Sequence, residues 1–174
     1  MRKSLKVLWL IMVSLLTMLQ AQGDGRSVAY PTATTEILTL ADSIAAFNEF
    51  HTHAIGESGK QSDQWKRFER LNSIATLKDW EALNDHPNPV VQAYAYYALA
   101  HREGAALLPR LVPHLRDTAT VRIFIGCEYG GMPIAILTLQ MVTTDWVGHR
   151  TRHLTKAEKA WLLRWILLRS VEID

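Results

Sequence analysis

Apolar residues recur at helical spacing through most of this chain. Ile37, Leu40, Ile44 and Phe47 mark a first stripe, and the pattern is read as one helix from Thr35 to Ala54. "IGESGKQSD", residues 55–63, interrupts it as a turn or loop. Trp65, Phe68, Leu71 and Ile74 form a second stripe, with Lys66, Arg67, Glu69 and Arg70 off it. Thr76 and Asp79 then sit at capping-box spacing, where hydroxyl and carboxylate each serve an orphan backbone N–H. Asp85, His86 and Pro87 end that short helix. Asn88 supplies an N-cap and Pro89 a first-turn position that needs no N–H, so the next helix runs to about His101. Leu107, Leu108, Leu111, Val112 and Leu115 mark another, over roughly 104–116.

The regularity fails in "TATVRIFIGCEYGG", residues 118–131, which reads as a loop or a short strand. Pro133 restarts a helix. Thr155 and Glu158 form a T-x-x-E box that opens the last one, with Trp161, Leu162, Leu163, Trp165, Ile166, Leu167 and Leu168 inside it. The sum is about seven helices and no sheet. The predicted fold is all-α, a short helical stack with an irregular Gly-rich break near 118–131.

The N-terminus sets the predicted organisation. Arg2, Lys3 and Lys6 precede the apolar run Val7 to Leu19, shorter than the ~20 residues a spanning helix needs. This is the pattern of an export signal over 1–21, cleaved after Ala21. A polar leader follows over 22–35, and one helical domain over 36–174. Export leads to a periplasmic or secreted location. Charge adds little to that picture. The chain has 19 basic and 17 acidic residues. Without Arg2, Lys3 and Lys6 the remaining 16 basic residues face 17 acidic ones, which gives no global pull toward nucleic acid or an anionic membrane. Cys127 is the only cysteine, so no internal disulfide can form. Its apolar neighbours Ile123, Phe124 and Ile125 predict a buried thiol.

Candidate chemistry is sparse. His51 with His53, and His149 with His153, are pairs, whereas a metal site needs three or four converging ligands. No metal or cofactor is expected. No nucleophile elbow, HExxH or phosphate-binding loop is present, and Gly126, Gly130 and Gly131 match no dinucleotide fingerprint. A non-catalytic chain is the expectation. Cys127 with a histidine is kept as the alternative for a small enzyme.

One helix carries a resemblance. "HPNPVVQAYAYYALA", followed by "LLPRLVPHLRD", resembles the HEAT repeat of α-solenoid proteins. Asp85, Val91, Ala95, Ala98 and Leu99 fit its second helix, with Gln92 where Arg is usual. Val121 and Arg122 begin another such helix, but Ile125, Glu128 and Tyr129 stand where Ala, Ala and Leu belong. The likeness spans about Lys66 to Arg122, with one full repeat. It implies a stacked helical scaffold that presents surface and binds an unidentified protein partner. On a helical wheel Val91, Ala95, Ala98 and Leu99 share the packed face. Gln92, Tyr96 and Tyr97 lie opposite and are the candidate protein-binding residues. The last helix is expected to be core. The alternative is that its tryptophans and leucines, preceded by Arg150, Arg152, Lys156 and Lys159, touch a membrane surface.

Overall fold

The computed structural model describes residues 34–102, 106–143 and 154–170. The signal, the leader up to residue 33, and His149 and His153 lie outside them. Among the described residues there are seven helices and a four-stranded mixed sheet, which makes the fold α/β and corrects the all-α expectation. The solenoid architecture implied by the HEAT-like stretch falls with it. In chain order the elements are α1 (Thr35–Phe47), β1 (Phe50–Ile55), β2 (Lys60–Gln61), α2 (Asp63–Ile74), α3 (Leu77–Leu83) and α4 (Pro89–Ala100). After these come α5 (Leu107–His114), β3 (Thr120–Gly126), β4 (Glu128–Pro133), α6 (Ile134–Thr143) and α7 (Lys156–Ser170).

The first strand of the sheet begins where α1 stops, inside the stretch expected to be helical. Asn48 takes the left-handed conformation (φ 58°), and its N–H caps α1 on the Ile44 carbonyl. Asn is among the few residues that tolerate this, so the helix stops and "FHTHAI" is released as a strand. β1 pairs parallel with β3, Phe50 opposite Ile123 and His51 opposite Phe124, and antiparallel with β2 at Ala54 and Ile55. The Gly-rich break is the β3–β4 hairpin, with Ile125 opposite Glu128 and a two-residue turn of Gly126 and Cys127. Gly126 has φ 55°, which a two-residue hairpin turn demands at its first position. Cys127 at the tip is exposed, which corrects the buried thiol. The sheet order is β2-β1-β3-β4.

Helix α4 is the centre of the molecule. Every residue from Val90 to Ala100 except Gln92 is buried. It packs against α1, α3, α5 and α6 and against the inner sheet face of Phe50, Val121 and Ile123. A helix without a single charge has no face to offer water, so it is covered on all sides. That corrects the outward side expected for Tyr96 and Tyr97, while Gln92 of the same set is half-buried. The predicted caps form: Thr76 with Asp79, Asn88 ahead of Pro89, and Thr155 with Glu158.

Candidate functional site

The other face of the sheet is not packed in this way. Residues of β3 alternate, Val121 and Ile123 inward, Arg122 and Phe124 outward. Phe124 and Arg122 are opposite Tyr129 and Gly131 of β4, and Phe124 is opposite His51 of β1. Phe47 reaches the same place from the end of α1. The rings make a row of edge-to-face contacts: Phe47 to His51 at 5.3 Å, His51 to Phe124 at 5.6 Å, Phe124 to Tyr129 at 5.6 Å. Its two ends are open, Phe47 at 41% and Tyr129 at 61% exposure.

Behind the row runs a chain of polar contacts. Ser62 caps α2, its hydroxyl oxygen accepting from the N–H groups of Gln64 (3.1 Å) and Trp65 (3.2 Å). Those bonds use both lone pairs, so the hydroxyl hydrogen goes to His51 Nδ1 at 2.8 Å. Hydrogen-bond capacity therefore assigns the remaining ring proton to Nε2, which donates to Glu49 Oε2 at 2.9 Å. The second carboxylate oxygen accepts from the Tyr129 hydroxyl (3.2 Å) and pairs with the Arg122 guanidinium. Burial by itself would raise the Glu49 carboxyl. The hydrogen bond from His51, the charge of Arg122 and the bond from Tyr129 outweigh it and hold the group below its ordinary value.

Gln64 fixes the base of this arrangement. It is fully buried, and its amide nitrogen donates to the carbonyls of Ile44 (3.1 Å) and Glu49 (2.9 Å). Its carbonyl accepts from Arg67, whose guanidinium also lies 5.3 Å over the Phe47 ring. A cavity of about 140 Å³ opens beside the chain, lined by Phe47, His51, Ile55, Lys60, Ser62 and Gln64 among others.

Serine, histidine and carboxylate in hydrogen-bonded series invite comparison with an acyl-transfer triad. The comparison fails at the serine. A nucleophile needs a free lone pair and an approach for its substrate. Here Ser62 is 2% exposed, and all three positions around its oxygen are taken. As placed, the series transmits position from the α2 cap to Arg122 and Tyr129.

The residues chosen from sequence sit elsewhere. Tyr96 is fully buried, its hydroxyl donating to the Leu107 carbonyl at 3.4 Å. Tyr97, 5% exposed, packs among Phe50, Trp65, Phe68 and His101. Gln92 is half-buried and donates to the His86 carbonyl at 2.6 Å. The structure brings none of the three to a surface cluster. His51 belongs to the polar series, whereas His53 is exposed beside Trp65. Among the described residues no three His, Cys, Asp or Glu side chains converge as a metal site. Glu49, Ser62, Arg122 and Tyr129 were missed. The available signals were Asn48 as a helix stop and the in–out alternation of "TVRIF". Comparison with family models, curated proteins and solved structures gives no match.

Proposed function

We propose that this chain is an exported interaction module that binds another protein through the outer face of its sheet. The observation that carries this reading is the mixture held open there. Phe47 and Tyr129 are exposed, Arg122 is 59% exposed, and each is braced from behind by α2, His51 and Glu49. Aromatic residues and arginine are the types enriched at interface centres, and rigid ones lose little freedom on binding. The single carboxylate among them is already neutralised by Arg122 and needs nothing from a partner.

The test starts from crosslinked capture in the native envelope and medium, followed by affinity measurement with the purified captured protein. Tyr129→Ala and Arg122→Ala remove exposed side chains and leave the core untouched. If the outer face is the interface, each weakens binding by about 10-fold or more, as a residue worth above ~1.4 kcal/mol would. Unchanged affinity in both variants, or no captured partner, overturns the proposal.

A further inference from the structure

The two ends of the sheet are finished differently. Beyond β1 the edge is closed by the two residues of β2 and, at His51, by the Tyr94 hydroxyl, which serves both backbone groups at 2.8 Å. At the other end β4 pairs with β3 in an unbroken register from Glu128 to Pro133, and no strand lies beyond it among the described residues. The phase of that ladder is fixed twice. The Ile134 N–H donates to the Ala119 carbonyl at 3.0 Å, and the two-residue turn closes on Ile125 and Glu128. Antiparallel pairs alternate, so Glu128, Gly130 and Met132 exchange their bonds with β3. The N–H and C=O groups of Tyr129 and Gly131 therefore point away from the sheet.

No side chain of β4 shields that row. Tyr129 leans back over the sheet with its hydroxyl on Glu49 at 3.2 Å, Met132 packs on the core, and Gly130 and Gly131 carry nothing. Natural edges are commonly blunted by a bulge, a lysine or a proline within the strand. Here Glu128 and Pro133 stand only at the two ends. The single chain accounts for Gly131, where an added Cβ would meet the Thr120 methyl at 3.1 Å. It gives no reason for Gly130, which has no positive φ and whose added Cβ would meet nothing within 4 Å. Glycine weakens a strand and marks a site where another backbone comes close.

We infer that β4 pairs antiparallel with β4 of a second copy of this chain, about a two-fold axis through Gly130. The register selects this occupant. With Gly130 opposite its own copy, Tyr129 of each chain faces Gly131 of the other, and each such pair exchanges two hydrogen bonds. Every outward donor and acceptor of these two residues is then used. Centring on Gly131 instead would set Tyr129 against Pro133, which has no N–H to give. Two four-stranded sheets become one of eight, with both outer faces on the same side. The contact uses the backbone of β4 and goes beyond the partner binding proposed above.

The test is the oligomeric state of the protein, purified in the form its producing cell holds, by sedimentation up to about 100 µM. Gly130→Lys and Gly130→Glu each set like charges against one another on the axis, at a position open in the single chain. Both variants are first matched to the parent in urea midpoint. The parent is expected to dimerise, and each variant to associate at least about 10-fold more weakly. An equimolar mixture of the two variants should recover the dimer. On the parent, a nitroxide at Cys127, the only cysteine, should couple to its copy across about 20 Å, roughly six residues of antiparallel strand. A monomeric parent overturns the inference, including one whose edge accepts only a segment of a different protein. So do a dimer undiminished in the variants, variants that mixing does not restore, and a parent dimer whose labels do not couple.

Discussion

Tyr94→Phe isolates one hydroxyl whose work can be counted. The ring is fully buried and stacked between Phe50 (4.4 Å) and Phe68 (5.0 Å), so phenylalanine fills the same space. The hydroxyl accepts from the His51 N–H and donates to the His51 carbonyl, both at 2.8 Å. At that point β1 has β3 on one side, but β2 pairs only with Ala54 and Ile55. One phenol therefore stands in for a missing strand. Removing it orphans a donor and an acceptor inside the protein, each costing about 1–3 kcal/mol. Part of that is returned because the hydroxyl itself no longer has to be buried. The net loss is about 3 kcal/mol. With a urea slope near 2 kcal/mol per molar, the midpoint falls by about 1.5 M. Amide exchange at His51 should accelerate together with that shift. A midpoint change below about 0.5 M would mean that water replaces the hydroxyl, and the strand-substitute argument would be refuted.

Alkali tests the buried phenols. Burial pushes Tyr97 up to about 12 and Tyr94 and Tyr96 further. The unfolded chain therefore loses these protons first. Stability is intact below about pH 10 and falls above it, by up to about 1.4 kcal/mol per pH unit for each group. Spectrophotometric titration should find all three un-ionised at pH 11 until the protein unfolds; ionisation without unfolding contradicts it. Acid tests two histidines. Burial lowers His86 and His114 against the partial opposition of Asp42 at the first and of Asp117 and Asp85 at the second. The unfolded chain binds protons there more readily, so stability is whole above about pH 6.5 and is lost below it. His114→Gln should flatten that acid limb in urea midpoints taken from pH 7.5 to 5, and an unchanged limb rejects the assignment. Ser62→Ala should cost about 1–2 kcal/mol in urea unfolding through the lost cap. In the parent, a fluorophosphonate probe should leave Ser62 unmodified by peptide mass mapping. A labelled Ser62 would show that its oxygen is not saturated.

What the sequence made legible was whatever depends on near neighbours. Thr76 with Asp79, Asn88 with Pro89, and Thr155 with Glu158 all cap as read, because each device is complete within four residues. The stripe of Trp65, Phe68 and Leu71 is buried as expected. The sheet was illegible for the opposite reason. The residues after Phe47 continue a helical period, and what makes them a strand is Asn48 and a partner about 70 residues away. Phe47 itself fits the apolar stripe of α1, yet it lies at the exposed end of the ring row. The facing of α4 could not be read either. A wheel separates faces by polarity, and Val90 to Ala100 offers only Gln92 for contrast. The polar series was hardest, since Glu49, His51, Ser62, Arg122 and Tyr129 come from separate stretches and match no local spacing.

The parallel pairing of β1 with β3 sets when this face can exist. Glu49 and His51 belong to one end of a closed loop about 70 residues long, Arg122 and Tyr129 to the other, with four helices between. Closing a loop of that length costs about 4 kcal/mol of chain entropy. During synthesis at 5–20 residues per second, several seconds separate the emergence of His51 from that of Tyr129. Until then β1 has no parallel neighbour, and the side chains of the series have no common surface. A fragment ending before Thr120 can hold the α2 cap and the α3–α4 pair, but it has no ring row and no guanidinium for Glu49. The binding proposed for this face therefore requires β3 and β4 to have been made and paired.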